Sequence, residues 1–270
     1  TTPTVQRVGS FTESKFGIAS SEDLVYIFDI LRNKLYSDKA LAVVREYTTN
    51  AADANTEAGF PDDPIVITVP NQMVPSFKVR DFGRGLSEED VRSVYCMYGR
   101  STKRQSNAFT GQLGLGSKSG FAYGDSFTIT SFHNGLKTVY TAYIDESKLG
   151  AIAKIQESKT NERPGVEITI PVKANDVSIF QRKIEEVCKF FRVKPIINGN
   201  INISPIIKHF SGRDWVIQHS ENKYGPKQAI AVMGNIGYPI DASQVYPGEY
   251  NDYWRTKTGG LKMLMANSIL

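Results

Sequence analysis

The chain has 270 residues and a formal net charge of +4, with 40% hydrophobic and 22% charged residues. This composition excludes an intrinsically disordered chain, and it can bury the core of one large domain or two modest ones. The weak positive charge does not demand an acidic partner, because nucleic-acid-binding proteins usually concentrate far more positive charge.

The only two cysteines, Cys96 and Cys188, lie far apart in helix-like segments. With three histidines and no CxxC pair, the sequence excludes a disulfide framework and a structural zinc site. We therefore expect a protein of the reducing cytoplasm. No apolar run approaches the ~18 residues that a membrane-spanning helix needs.

Two consecutive helices are predicted near the start of the chain. The first, over residues 20–36, begins with serine and acidic residues and has apolar residues at helical spacing. The second begins after Ser37 or Asp38, either of which can cap it, and Gly59 can end it. Its predicted inner stripe is Leu41, Val44, Thr48 and Ala51.

The middle of the chain alternates in the manner of strands, with turn residues between the segments. Asn134-Gly135 predicts a tight hairpin turn. A short helix is predicted near Ser87, and an amphipathic helix from Asp176 is expected to end at Pro195. The predicted strand segments are 64–70, 77–82, 126–133, 136–145, 151–158 and 165–172.

This order of elements predicts an α+β fold, with a mixed, mostly antiparallel sheet covered by helices on one face. Residues 1–20 are predicted to form an N-terminal arm, and residues 21–199 the main domain. The pattern of residue types changes after "IINGN", where short predicted strands and aromatic, turn-rich connections follow. Residues 200–270 therefore read as the beginning of a second α/β domain.

The first candidate motif is a polar stripe on the second helix, in "EYTTNAADANTEAG". Glu46, Asn50 and Asp53 are spaced four and three residues apart, so they share one side of the helix. A carboxylate can orient a water molecule, and an amide oxygen can bind Mg²⁺. The alternative is an ordinary solvated face.

The second candidate motif is "RDFGRG", where a strand leads into Asp81, Gly83 and Gly85. Glycines allow a sharp turn and close approach to a ligand, and the aspartate can accept a hydrogen bond from an exocyclic amine such as that of adenine. A plain strand-to-helix turn is the alternative. A protein kinase is excluded, because the other kinase motifs are missing.

The third candidate motif is "GQLGLGSKSGFAYG", inside a stretch of about twenty residues with little apolar periodicity. Gly111, Gly114 and Gly116 precede a predicted helix start near Ser117. Backbone N–H groups at such a place can bind an anion. The spacing matches neither a Walker A loop nor the dinucleotide fingerprint.

In this order, the three motifs resemble the nucleotide site of the GHKL ATPases, which include gyrase, the heat-shock-ninety chaperones and histidine kinases. "REYTTNAADA" resembles the ExxxNxxDA box of that family, "DFGRG" its DxGxG box and "GQLGLG" its GxxGxG lid box. The resemblance implies a Bergerat-type two-layer α/β sandwich that binds ATP with Mg²⁺.

The resemblance also implies a role for each residue. Glu46 would polarise the attacking water, Asn50 would hold Mg²⁺, and Asp81 would bind the adenine amine. Asp53 would support the pocket edge, and Gly83 and Gly85 would shape the base pocket. The residues implied to fold over the phosphates are Gly111, Gly114, Leu115, Gly116 and Ser117.

Five further residues bear on this assignment: three lysines, one valine and one threonine. Lys103 and Lys118 can each reach a phosphate, and each can equally be a solvated loop lysine. Lys257, in "RTKTGG", resembles the lysine of the gyrase QTK loop.

The family often has a threonine after a glycine on a late strand, where this chain has Val166, so a backbone or apolar contact must replace the threonine. Thr169 is expected on the opposite side of that strand.

Longer stretches, above all "STKRQSNAFTGQLGLGSKSGFAYGDSFTITSFHNG", resemble the rapid-lysis A proteins of T-even-like bacteriophages. That resemblance implies a phage protein of the host cytoplasm, loosely associated with the membrane, which controls lysis. By analogy with larger GHKL proteins, ATP binding would form a homodimer, in which residues 1–20 would exchange strands.

The sequence thus predicts a slowly hydrolysing, ATP-dependent conformational switch, with ATP and ADP as ligands and an unknown host or phage protein as partner. One alternative is a non-catalytic phage module that binds a host protein. Another is a DNA-handling ATPase of the topoisomerase or mismatch-repair type, although strong DNA binding is not expected at this charge.

Overall fold

The computed structural model describes residues 13–15, 28–34, 36–96, 116–204, 208–211, 216–218, 229–233 and 235–240. These residues divide into two compact units. The first contains the described residues up to Ile184 together with Pro195–Ile201. The second contains Glu185–Lys194 and the described residues from Asn202 onward.

The first unit is built on an eight-stranded sheet. The strands are β1 (Glu13–Lys15), β2 (Val66–Thr68), β3 (Ser76–Arg80), β4 (Ser126–His133), β5 (Leu136–Ile144), β6 (Gly150–Lys159), β7 (Gly165–Pro171) and β8 (Ile196–Asn198). Their order in the sheet is β1-β6-β5-β4-β7-β3-β2-β8, and every neighbouring pair is antiparallel except β2 and β8, which are parallel. The predicted mixed, mostly antiparallel sheet of an α+β fold is confirmed.

The described helical residues include four α-helices and four shorter turns. The α-helices are α1 (Lys39–Glu57), α2 (Glu88–Val91), α3 (Gly120–Tyr123) and α4 (Val177–Cys188). The shorter turns are π-helical at Ile30–Lys34 and Arg92–Cys96 and 3-10 helical at Gly116–Lys118 and Ala174–Asp176.

Local signals place the main elements where the sequence predicts them. The Asp38 carboxylate accepts a hydrogen bond from the Leu41 amide at 2.9 Å and caps α1. Ser87 caps α2 in a capping box with Asp90. Asn134 and Gly135 have φ values of 50° and 73°, which is the left-handed backbone that a two-residue hairpin turn between β4 and β5 requires.

The predicted end of α4 at Pro195 is wrong, because the helix ends at Cys188. Beyond it, the amides of Phe190 and Phe191 donate to the carbonyls of Val187 and Cys188, three residues back. This tighter turn replaces the α-helical pattern before the proline can act.

The core of the first unit lies between one face of the sheet and the helices. Phe77 and Val79 of β3 stand opposite Ile170 and Ile168 of β7, so all four share a face, and all are buried. The Phe77 ring lies 5.7 Å from the ring of Phe180 in α4. That face is therefore the helix-covered one, and the charged side chains of β3 and β7 point to the other face.

In the second unit, the described strands form two antiparallel pairs. The first pair is β9 (Lys208–Ser211) with β10 (Val216–Gln218), and the second is β11 (Ala229–Met233) with β12 (Ile236–Ile240). Among the residues that the structure describes, no helix is long and apolar enough to cross a membrane.

Candidate functional site

Helix α1 carries the first motif at the border of its buried face. Val44, Thr48 and Ala51 of the predicted inner stripe are buried, whereas Leu41 is only half-buried. Glu46, Asn50 and Asp53 are half-buried, and the Glu46 side chain is only 15% exposed. The polar stripe is therefore not an ordinary solvated face.

Gly116, the last glycine of the GxxGxG box in the third motif, lies against the first motif. A Cβ atom added to Gly116 would come within 2.5 Å of Oε2 of Glu46 and 4.0 Å of Nδ2 of Asn50. Glu46 and Asn50 are separated from Gly116 by more than sixty residues, yet they meet at one place. Lys103, Gly111, Gly114, Leu115 and Lys257 lie outside the described residues.

The carboxyl group of Asp81 is held by backbone amides at the end of β3. Its Oδ1 accepts hydrogen bonds from the amides of Gly83 at 2.9 Å and Val166 at 3.1 Å. The residue is only 6% exposed, and burial raises the pKa of its carboxyl group to about 6. A buried carboxyl with a raised pKa, fixed at a turn, is typical of a ligand-binding group.

The turn that follows Asp81 packs on α1. A Cβ atom on Gly83 would lie 3.1 Å from both the Cβ and the carbonyl oxygen of Ala54. Ala54 is one helical turn after Asn50, so the second motif meets the same helix that Gly116 meets at Glu46. The described parts of all three motifs therefore converge on α1.

Residues 38–167 match the family model of the histidine kinase-, DNA gyrase B- and HSP90-like ATPases. The matched segment contains α1, the Asp81 turn and the glycine motif. Curated relatives include the chaperone protein HtpG from two strains of Methylorubrum extorquens, each 23% identical over 263 residues. HtpG of Methylorubrum populi is 22% identical over the same length.

Each of these alignments covers 87% of this chain, and the chain spans 38% of the length of the chaperones. Together, the family match and the chaperone relatives support the GHKL superfamily for this domain. The sheet with helices on one face agrees with the Bergerat fold of that superfamily.

Gly85 has different neighbours from Gly83 in this GHKL-like site. A Cβ atom there would clash with the backbone carbonyl of Phe132 in β4. The hydroxyl group of Ser131 also accepts a hydrogen bond from the Leu86 amide at 2.8 Å and donates one to the Leu86 carbonyl at 2.7 Å. The described contacts of Gly85 thus attach the end of the turn to the sheet.

Asn55 is a site residue that the sequence reasoning missed. It is 1% exposed, its Oδ1 accepts from the Phe82 amide at 2.6 Å, and its Nδ2 donates to the Asp63 carbonyl at 3.0 Å. It thereby fixes the second motif to α1. The sequence spacing indicated this burial, because Asn55 continues the inner stripe of α1 four residues after Ala51. A polar side chain at such a buried position needs a hydrogen-bond partner.

Residues on the helix-free face of the sheet also contact the Asp81 turn. The guanidinium group of Arg80 lies 4.0 Å from the centroid of the Phe132 ring and 5.0 Å from that of Phe82. It donates to the carbonyls of Asp81 and Arg163. Gly165, at φ 137°, allows this approach, because a Cβ atom there would clash with Arg80 and with the Asp81 carbonyl.

The backbone amide of Val166 supplies one of the two contacts to Asp81 Oδ1. Its carbonyl also accepts a hydrogen bond from the Asp81 amide at 2.9 Å. Thr169 lies on the other face of β7 by alternation, together with Glu167, whose carboxylate pairs with Lys78 at 3.8 Å. Thr169 therefore faces away from Asp81.

Lys118 is fully buried, so the alternative of a solvated loop lysine is wrong for this residue. Its ammonium group donates to the Val94 carbonyl at 2.9 Å, and the hydroxyl group of Ser117 donates to the same carbonyl at 3.2 Å. Both side chains thus attach the end of the glycine motif to the Arg92–Cys96 turn.

The described residues contain no group of three His, Cys, Asp or Glu side chains that could hold a metal ion by themselves. This donor set fits Mg²⁺ that is bound jointly by nucleotide phosphates, water and one amide oxygen, because Mg²⁺ keeps several waters and few protein ligands. Among the described asparagines of α1, Asn50 can offer such an oxygen, whereas the oxygen of Asn55 already accepts from the Phe82 amide.

A cavity of about 300 Å³ lies on the helix-free face of the sheet, away from the site on α1. Arg80, Phe82 and Arg163 belong to its lining. It shares Arg80 with the support of the Asp81 turn, but it contains neither Glu46 nor Asn50.

Proposed function

We propose that this chain binds Mg²⁺-ATP and hydrolyses it slowly, as the nucleotide-dependent switch of a larger protein. One observation carries the proposal: α1 meets the end of the glycine motif at Glu46 and Asn50 and the Asp81 turn at Ala54. A metal-binding amide and a catalytic carboxylate then share one helix, and the turn that carries the adenine-binding carboxyl of Asp81 packs against the same helix. The family match over residues 38–167 supports the same activity.

Glu46 is proposed to be the general base. Its Oε1 lies 3.7 Å from the guanidinium group of Arg45, while Oε2 faces Gly116. We propose that the oxygen on the glycine side accepts a proton from the water molecule that attacks the terminal phosphate. A positioned base of this kind typically contributes 10²–10⁴-fold to the rate.

The remaining roles concern binding. Asn50 would supply one oxygen to Mg²⁺, which when bound neutralises charge on the phosphates. Asp81 would accept a hydrogen bond from the adenine amine, with its carboxyl orientation fixed by the amides of Gly83 and Val166. Asp53 stays a predicted supporting residue, and the predicted phosphate contacts of Lys103, Gly111, Gly114, Leu115, Gly116, Ser117 and Lys118 belong to the same proposal.

Two substitutions separate these roles. Asp81→Asn should weaken ATP binding about 100-fold or more in calorimetry, because the buried amide group would present an N–H donor to the amine of adenine, which is itself a donor.

Glu46→Ala should keep ATP affinity within about threefold and reduce phosphate release at least 100-fold. Glu57→Ala, an exposed glutamate at the end of α1, is the matched control and should behave as wild type. Full hydrolysis in Glu46→Ala would exclude Glu46 as the base.

The larger protein is a separate part of the proposal. The relatives named HtpG are chaperones, and the chain spans only 38% of their length, so identity at this level supports the ATPase domain and not their substrates. The resemblance to rapid-lysis A proteins, with lysis control, host cytoplasm and membrane association, stays a prediction. The separate resemblance of Lys257 to the lysine of the gyrase QTK loop, which would bring it to the nucleotide, also stays a prediction.

Two measurements address the alternatives. A binding module that does not use nucleotide would show no shift of its melting temperature with Mg²⁺-ATP, whereas an ATP site raises it. A DNA-handling ATPase would bind duplex DNA with strong salt dependence, which we do not expect here. Sedimentation with a non-hydrolysable ATP analogue tests the proposed homodimer.

A further inference from the structure

Tyr47 connects the helix of the first motif to the residues that follow Gly116 in the third motif. Its hydroxyl group donates a hydrogen bond to the Ser117 carbonyl at 3.0 Å and accepts one from the Gly120 amide at 3.0 Å. It thus bonds one residue of the 3-10 turn and the first residue of α3. Residues 116–120 are called the 116–120 segment below.

The surroundings of Tyr47 suit this double hydrogen bond. The residue is 3% exposed, and its ring lies 6.1 Å from the ring of Phe127. Burial raises the pKa of the Tyr47 hydroxyl well above its ordinary value, so the group stays protonated and can donate and accept at once. Gly120 permits the contact, because a Cβ atom there would lie 2.9 Å from the Tyr47 hydroxyl.

Consecutive residues of α1 therefore hold the same segment in two ways. Glu46 meets Gly116 at the border of the site, and Tyr47 bonds Ser117 and Gly120 from the core. Successive residues of a helix point about 100° apart, so the two contacts approach the segment from different directions. The Tyr47 hydroxyl group therefore bonds the segment that Glu46 contacts, and it does so from outside the site.

We propose that Tyr47 is a positioning residue that fixes the 116–120 segment against Glu46 and thereby sets the rate of ATP turnover. This inference rests on the proposed function. The hydroxyl group acts through the backbone of Ser117 and Gly120 and does not touch the nucleotide. Its loss frees the segment to move from Glu46, and small displacements of reacting groups are costly, about 100-fold in rate for 1 Å.

The test compares two tyrosines with the same kind of hydrogen bonding. The Tyr123 hydroxyl, at the other end of α3, donates to the Asp176 carboxylate at 2.7 Å and accepts from the Lys173 amide at 3.0 Å. Tyr123→Phe is therefore the matched control for Tyr47→Phe. Each change removes one donated and one accepted hydrogen bond and keeps the ring.

Steady-state kinetics on the full chain is the first measurement. Tyr47→Phe should lower kcat about 10-fold or more while KM for ATP changes less than about threefold, because the hydroxyl positions the base rather than the substrate. Tyr123→Phe should leave both within about twofold. An unchanged kcat in Tyr47→Phe, or an equal loss in the two variants, overturns the inference.

Amide hydrogen exchange without nucleotide separates this inference from the proposed function. Exchange in residues 116–120 should become faster in Tyr47→Phe and stay at the wild-type rate in Tyr123→Phe. If amide exchange in residues 116–120 is unchanged in Tyr47→Phe, the positioning role is overturned, whatever rate of ATP hydrolysis the variant shows. Absence of ATP hydrolysis in the wild type overturns the proposed function instead, and with it the effect on turnover.

A second substitution keeps the inference open to refutation if Tyr47→Phe fails to fold. In Gly116→Ala, the added Cβ would lie within 2.5 Å of Oε2 of Glu46 and would displace the same segment while Tyr47 remains. This variant should show a similar loss of kcat. A wild-type kcat in Gly116→Ala would show that the position of the segment does not set the rate.

Discussion

The Asp81 turn and the 116–120 segment meet the same helix, but different kinds of contact hold them. The Asp81 turn is bonded to neighbouring strands of the sheet: the amide and carbonyl of Val166 in β7 bond the Asp81 carboxyl and amide, and the Ser131 hydroxyl in β4 bonds Leu86. The 116–120 segment is held mainly by side chains, namely the Tyr47 hydroxyl and the Lys118 ammonium group.

This difference predicts different consequences of mutation. A turn that is bonded to two strands shares the stability of the sheet, so changes around it should reduce the free energy of unfolding. A segment held by a few side-chain groups can shift locally while the fold remains, so changes there should reduce turnover first. The predictions below test this comparison, beginning with the largest expected effect on stability.

Gly165→Ala should be the most destabilising of these changes. The residue has φ 137°, and a Cβ atom would clash with the Asp81 carbonyl and with Arg80. We expect a loss of roughly 3 kcal/mol or more in the free energy of unfolding, measured by urea denaturation. Gly124→Ala is the control, because its backbone is extended and the nearest atom to a new Cβ is 3.7 Å away. Similar losses of stability in both variants would contradict a turn that is held by the sheet.

The second prediction concerns pH and the buried Asp81 carboxyl. Its pKa is about 6 in the folded state and ordinarily 3.8, so the folded state binds more protons between these values. The contribution of Asp81 to stability therefore falls as pH rises from about 4 to above 6, by on the order of 2–3 kcal/mol.

Asp81→Asn removes this titration and can still accept the two backbone hydrogen bonds. Without nucleotide, the variant should gain stability relative to wild type as pH rises through that window, in urea denaturation at a series of pH values. A difference between the two proteins that is constant from pH 4 to pH 8 would argue against a raised pKa at this carboxyl.

The third prediction makes the same chemical change in both regions. Ser131→Ala removes two hydrogen bonds to Leu86 from a residue that is 1% exposed, and should cost about 2 kcal/mol. Ser117→Ala should cost less than ~1 kcal/mol, because Lys118 still bonds the Val94 carbonyl. A larger loss of stability in Ser117→Ala than in Ser131→Ala would reverse the comparison.

Much of the fold was predictable because the signals are local. The Asp38 cap, the Asn134-Gly135 turn and the spacing of Glu46 with Asn50 depend on nearby residues, and the structure contains all three features. The resemblance to the GHKL motifs then predicted that distant segments meet. The structure brings Gly116 to Glu46 and Gly83 to α1.

The remaining features depend on tertiary contacts that no local pattern encodes. Burial of Lys118 requires the Val94 carbonyl to lie in reach, and the neighbour of Gly85 is a carbonyl on β4. The end of α4 at Cys188 reflects a turn that forms before Pro195. Asn55 lies between these cases, since its place on the inner stripe predicts burial but not its partner.

The hairpin of β4 and β5 has a consequence for how the protein folds. The turn at Asn134 and Gly135 joins strands that are adjacent in sequence, and this hairpin carries Ser131 and Phe132, which hold the Asp81 turn. Because local contacts form with little loop-closure entropy, we expect the hairpin in the transition state for folding. Gly135→Val should then slow refolding in stopped-flow experiments and leave the unfolding rate nearly unchanged.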